Sequence, residues 1–426
     1  MKSDVVIIGG GPGGATCAMF LAAAGIKATI IEKETFPRYH IGESMTGECG
    51  NVVRDLGLEA EMIRRRHPVK HGVRVFSPKG KHTFSVPVRG RAADGSMFDA
   101  STWQVRRSDF DAMLLDEATS RGADLIHGTA IAPLRGDDGA VTGVRLRLAD
   151  GAEHDLHSEV LVDASGQLTF LARQGVTGTK LRGNYDKQIA VFSQVANAYR
   201  DEGTQRNDTL IFYQSTHHWA WFIPIDDEIV SVGVVIPGEE FLSKHESRHD
   251  FLVREIQEIN PELKRRVPDL RLVEEARAIP NYSYEAKSFT GKGFICIGDA
   301  HRFIDPIFSF GLFVTVKEAQ FAAGAIARYF AGEGRDAPNP FAEHERLCQR
   351  GTDAYQELID GFWEDPLAFQ FLVHHKYTDD VIDLFAGRVY AETPSPGLQA
   401  MRALNERRRQ RNPGSIPAPV PHISVS

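Results

Sequence analysis

The sequence predicts an α/β chain: a doubly wound parallel sheet, interrupted by a β-rich insertion and followed by a helical C-terminal region. Three observations predict it. Val5-Val6-Ile7-Ile8 is an unbroken β-branched run, the mark of a strand buried on both faces. Gly9-Gly10-Gly11-Pro12-Gly13-Gly14 follows and opens an Ala/Leu-rich helical stretch that Gly25 closes, before a second strand ending at Glu32. Far downstream, Phe294-Ile295-Cys296-Ile297 is another buried run, ending in Gly298-Asp299. One sheet is therefore gathered from distant parts of the chain.

Between these landmarks, residues 73–88 alternate with period two about Pro78-Lys79-Gly80, which predicts a hairpin. Residues 107–120 have helical spacing. Residues 141–148 and 153–162 read as two strands about Ala149-Asp150-Gly151, and residues 188–236 as strand-rich, broken by turns such as Asp226-Asp227. Residues 314–330 predict a long helix. Pro394 and Pro396 precede a basic cluster at residues 407–411, which reads as solvated, and the proline-rich end reads as loose. The predicted division is a discontinuous first domain (1–72, 100–180 and 285–335), a β-rich substrate domain (73–99 and 181–284), a helical region (336–404) and a flexible tail (405–426).

The 426 residues are 42% hydrophobic and 25% charged, which excludes wholesale disorder. With 49 basic against 57 acidic residues there is no cationic excess to hold nucleic acid or an anionic membrane. Four cysteines without a CxxC pair read as reduced thiols, and no apolar run approaches a membrane span, so the chain reads as soluble and cytoplasmic. The histidines have no metal-ligand spacing, and His217-His218 reads as an exposed turn. No Gly-x-Ser-x-Gly elbow or Walker loop supports a hydrolase or NTPase.

The chemistry-bearing motif is Gly9-x-Gly11-x-x-Gly14 between strand and helix, with Glu32 ending the next strand. Gly9 permits the tight turn, Gly11 lets a pyrophosphate approach the backbone, and Gly14 lets helix and strand pack closely. Helix amides face the phosphates, and Glu32 is placed for ribose hydroxyls. This is a Rossmann-like dinucleotide site. Val105-x-Arg107-x-x-Phe110-Asp111, Asp163-Ala164-Ser165-Gly166 and Gly298-Asp299 follow in order. Together the set resembles the FAD-dependent aromatic hydroxylase fold over roughly the first 330 residues.

Phe36-Pro37-Arg38-Tyr39-His40-Ile41-Gly42-Glu43-Ser44 and Trp219-Ala220-Trp221-Phe222-Ile223-Pro224 narrow the resemblance to the flavin-dependent halogenases and their monooxygenase relatives. As a bare pattern, Trp219 and Trp221 are also what one buried strand face presents. The resemblance implies FAD held by Gly9, Gly11, Gly13, Gly14, Glu32, Arg38, Ile41, Gly42, Ser44, Arg107, Asp299, Pro306 and Gly311. It implies a wall separating substrate from flavin at Trp219, Trp221, Ile223 and Pro224. A chloride or bromide site is implied at Ser309, Phe310 and Gly311, where many relatives carry a hydroxyl in place of Phe310. It implies Lys70 as the catalytic amine that hands hypohalous acid to substrate; Lys79 and Lys81 read as a hairpin tip. The implied reaction uses FADH2, delivered by a separate NAD(P)H flavin reductase, and O2. A flavin C4a-hydroperoxide then oxidises halide for attack on an electron-rich aromatic, free, carrier-bound or peptide-borne. Hydroxylation of such a ring is the alternative, and a non-catalytic flavin sensor or scaffold is an alternative of another class.

Overall fold

The structure is a computed structural model that describes residues 2–178, 180–182, 188–281 and 283–411. Two eight-stranded sheets dominate it. In the first, five strands run parallel in the order Asp124–Arg135, Ala28–Glu32, Val5–Ile8, Val160–Asp163, Phe294–Cys296. The hairpin of Val141–Leu148 and Glu153–His157 extends one edge antiparallel, and Thr290–Gly291 extends the other. Val5–Ile8 lies in the middle with all of its residues buried, as its apolar run requires.

The chain leaves that strand through Gly9, at φ +101°, where a Cβ would sit 2.6 Å from the Ala164 carbonyl oxygen. The helix Pro12–Ala23 begins at once, with proline in its first turn. A Cβ on Gly14 would overlap the Gly9 carbonyl oxygen, so strand and helix approach closely only because residue 14 is glycine. The helix Gly311–Phe330 packs along this one and starts three residues before the stretch its periodicity marks.

Residues 153–162 are two strands, not one. At Ser158 the amide still bonds the hairpin, to Thr142 O at 2.9 Å; the next amide, Glu159, bonds Asp4 O at 3.1 Å. The chain changes partner there and enters the parallel core. Residues 405–411 are likewise helix, not flexible tail: they end the helix Pro396–Arg411. Asn405 is fully buried and donates to Glu357 O at 3.0 Å, and Arg409 reaches Asp360 at 3.1 Å. Acids on the facing helix Ala342–Glu364 take up charges that sequence reads as solvated. The rest of the expected loose tail, 412–426, lies outside the described residues.

The second sheet runs Arg271–Leu272, Gln188–Ala196, Ile229–Pro237, His218–Pro224, Thr209–Ser215, Gly72–Phe76, His82–Pro87, with Arg277–Asn281 also on Gln188–Ala196. The last two strands in that order form the hairpin, with Lys79 and Lys81 exposed at its tip. His218–Pro224 is buried on both faces. Ala220 and Phe222 pack with Phe251 and Ile256 of the covering helix Arg248–Glu258, whereas Trp219, Trp221 and Ile223 point to the opposite side, toward the first sheet.

Candidate active site

A cavity of about 470 Å³ lies where the glycine loop, the 36–44 segment and the tryptophan strand meet. Of the residues expected to hold the cofactor, Gly9, Gly11, Gly13, Glu32, Arg38, Ile41, Gly42, Ser44, Arg107, Asp299, Pro306 and Gly311 all line it. Gly14 does not; its role is the close helix packing described above. Trp219, Trp221 and Ile223 line it as well, whereas Pro224 lies outside.

The lining fits FAD. A Cβ on Gly11 would meet nothing closer than the flexible tip of Arg38 at 3.3 Å, so the protein alone leaves that space open. It is the space a pyrophosphate needs beside the helix N-terminus. Glu32 is 5% exposed and held rigidly: Oε2 accepts from Gly10 N at 2.6 Å and Oε1 from Glu34 N at 2.8 Å. Arg107 grips Asp111 through two bonds of 2.7 and 2.9 Å and donates its remaining nitrogen to Ile41 O at 2.6 Å. The 36–44 segment is thereby pinned to the helix Arg107–Ser120. Asp163 does not face the cavity; its carboxylate accepts from Ser165 N (3.0 Å) and Leu171 N (2.7 Å), fixing the small residues Ala164 to Gly166 that do. Burial pushes the Asp299 carboxyl up to about 7. Its turn is braced from behind by Glu318, which accepts from Gly298 N at 2.7 Å and pairs with His301 at 2.8 Å.

The tryptophans are both buried strand residues and cavity wall. Trp221 donates from Nε1 to Ser231 Oγ at 3.1 Å, and its ring fits because residue 233 on the neighbouring strand is glycine: a Cβ there would overlap the indole. His217 and His218 are half-buried, not an exposed turn. His218 contacts Glu255 at 3.1 Å, and His217 packs edge-on to Trp363.

Lys70, 2% exposed, stands one hydrogen bond behind the cavity. Its strand, Val69–Lys70, pairs with Thr102–Trp103. The ammonium donates to Ser44 Oγ at 2.9 Å and Met45 O at 2.8 Å. Ser44 Oγ lies 2.7 Å from Thr209 Oγ1, which also accepts from Gln104 Nε2 at 2.9 Å. Burial pushes the lysine down to about 8, against the pull of nearby Asp208.

At the expected halide turn, Ser309 adopts φ +59° and its amide is spent on Pro306 O at 2.9 Å, so Ser309 offers no backbone donor. The amides of Phe310 and Gly311 open the 20-residue helix Gly311–Phe330. The Phe310 side chain is absent from the lining; it stacks on Tyr355 at 3.9 Å, on the far side.

Sequence reasoning missed Glu43 and Ser231. Glu43, 3% exposed, lines the cavity between two residues that were expected there. The signal was the single acid in the segment Phe36 to Ser44. Gly233 in a strand was the corresponding signal for the tight approach of Trp221.

Residues 2–351 match the family model described as an FAD binding domain. The chain is 38% identical over 385 residues to the 1H-pyrrole-2-carbonyl-[peptidyl-carrier protein] brominase of Pseudoalteromonas luteoviolacea, covering 90% of this chain and 91% of that one. It is 31% identical over 425 residues to the corresponding chlorinase of Pseudomonas fluorescens, covering 94% and 92%. The solved structure of the flavin-dependent brominase Bmp2 superposes with a TM-score of 0.89 at 36% identity, over 96% of this chain and 100% of that one.

Proposed function

This chain belongs to the FAD-binding flavoenzymes and, among them, to the flavin-dependent halogenases; from that premise we propose that it halogenates a pyrrole-type ring held as a thioester on a peptidyl-carrier protein. The observation that carries the reading is full-length similarity to both a brominase and a chlorinase of such a substrate. Bound FAD, reduced by a separate NAD(P)H flavin reductase, supplies with dioxygen the two-electron oxidation that makes halide electrophilic.

The chain's own residues do the rest. Gly11 and the helix after it seat the pyrophosphate, Glu32 the ribose, and Arg107 holds the 36–44 segment against the cavity. The amides of Phe310 and Gly311 hold halide at the helix entrance. Phe310 in place of a hydroxyl residue costs the site little, because its ring faces Tyr355 and not the cavity. Trp219, Trp221 and Ile223 keep water and substrate out, so the oxidised halogen leaves past Ser44 to Lys70. A lysine titrating near 8 holds a useful fraction of neutral amine at working pH, which can carry the halogen and release it to the ring.

The test is mass analysis after incubation with reductase, NADH, oxygen and either bromide or chloride. One arm contains pyrrole-2-carbonyl carrier protein and the other the free acid. Halogen on the carrier-bound ring is the expected result. A hydroxylated ring without halogen refutes the reading, and halogenation of the free acid alone refutes the carrier. NADH oxidation by the purified protein without reductase refutes the two-component scheme.

A further inference from the structure

Halide oxidation consumes a proton. Two reducing equivalents from FADH2, one dioxygen, one halide and two protons from the reduced flavin go in. One further proton is needed before hypohalous acid and water can leave with charge balanced. As the O–O bond breaks and the halogen–oxygen bond forms, the departing oxygen must be protonated inside a cavity walled against water.

We propose that Glu43 delivers that proton: its neutral carboxyl gives up the O–H to the oxygen that leaves as water, and is reprotonated between turnovers. The proposal rests on the halogenase reading above. Glu43 lines the cavity beside the tryptophan wall and is 3% exposed. Oε2 accepts from Gly42 N at 3.0 Å, whereas Oε1 is buried and, among the described residues, makes no hydrogen bond of normal geometry. The Ser231 hydroxyl acts on the same carboxyl and accepts from Trp221 Nε1, so the wall and the acid are joined. Glu32, the other buried glutamate of the lining, has both oxygens engaged by amides.

The groups facing Glu43 keep it poised. Burial raises its pKa above the ordinary glutamate range, while Ser231, the Gly42 amide and Arg107 draw it back. Arg107 has much of its charge answered by Asp111. Tyr39 lies near on its own segment, with Arg277, Glu274 and Arg106 behind. A carboxyl so placed keeps its proton to higher pH than an exposed glutamate does, as a general acid must.

The experiment compares wild type, Glu43→Gln and Glu43→Asp. Infrared difference spectra, taken on the FAD-loaded protein without halide or substrate, should show, beside the band of Asp299, a second protonated-carboxyl band that titrates above the ordinary glutamate range, is lost in Glu43→Gln and persists in Glu43→Asp. With reduced FAD, oxygen and bromide, Glu43→Gln should keep FAD affinity and bromide KM. Its kcat should fall by about a hundredfold or more, as for loss of a general acid. The fall in wild-type rate with rising pH should vanish in Glu43→Gln, and Glu43→Asp should restore part of the rate. Wild-type kcat and pH profile in Glu43→Gln, or no second titrating band in wild type, overturns the proposal. If wild type shows the second band but halogenates nothing, the halogenase reading fails and takes the delivery step with it, while the proton-holding carboxyl stands.

Discussion

Replacing Lys70 with methionine separates the energetics of the buried amine from its chemistry. Lys70 ionises at about 8 in the folded protein, against an ordinary 10.5. Between those values the unfolded chain binds a proton that the folded protein does not, so wild-type stability rises with pH across that window. Below about pH 8 both states carry the charge and the whole cost of burying it is present. At about 1.4 kcal/mol per pH unit, the window is worth about 3 kcal/mol. Lys70→Met removes that cost but leaves the Met45 carbonyl without its donor, a loss of about 1–3 kcal/mol; Ser44 keeps Thr209. At neutral pH the two effects nearly cancel, and the variant should unfold close to wild type. At the top of the window wild type should gain about 3 kcal/mol on the variant. Urea unfolding of the FAD-free proteins at stepped pH measures the difference, and other titrating groups drop out of it. The same variant should bind FAD and give no halogenated product. A stability difference that stays flat from neutral pH to the top of the window refutes the buried, depressed amine; unchanged product yield refutes its role in transfer.

Two further substitutions test the glycine loop and the halide turn. Gly11→Val should fold by circular dichroism yet purify without yellow flavin, whereas Gly14→Ala should lose several kcal/mol of stability, about that of the larger core lesions, because its Cβ meets the Gly9 carbonyl. A yellow Gly11→Val protein would sink the pyrophosphate assignment. Phe310→Ser should cost about 3–5 kcal/mol through the cavity left beside Tyr355, seen as a lowered Tm, with bromide KM unchanged; a KM raised tenfold would place the side chain, not the amide, at the halide.

What sequence made legible was local. The glycine loop, the first strand and Glu32 are adjacent in the chain and in space, so spacing alone carried them. The pairing of Lys70 with Ser44 spans 26 residues and joins a two-residue strand to an isolated bridge residue, and no periodicity encodes it. A lysine leading into a strand looks like surface until Met45 and Ser44 enclose it. The helix through Asn405 and Arg409 was hidden for a related reason, since the acids that take up its charges lie on another helix, near residue 360. Glu43 was overlooked because a motif read for its backbone gives no account of the side chain between glycine and serine.

Thr209 has a consequence for building chimeras. It belongs to the second sheet, yet it is the shared hydrogen-bond partner of Ser44 and Gln104, from the segments that bound the cavity and flank the Lys70 strand. Grafting a foreign substrate sheet to broaden ring scope would carry in whatever residue occupies that strand's first position. An aliphatic one would take a partner from each, leaving Ser44 with Lys70 and Gln104 with the Asn207 carbonyl, and free the serine hydroxyl to turn elsewhere. Modularity in this enzyme therefore has its seam one residue inside the strand, and a graft junction placed after Thr209 preserves the amine's alignment where one placed before it does not.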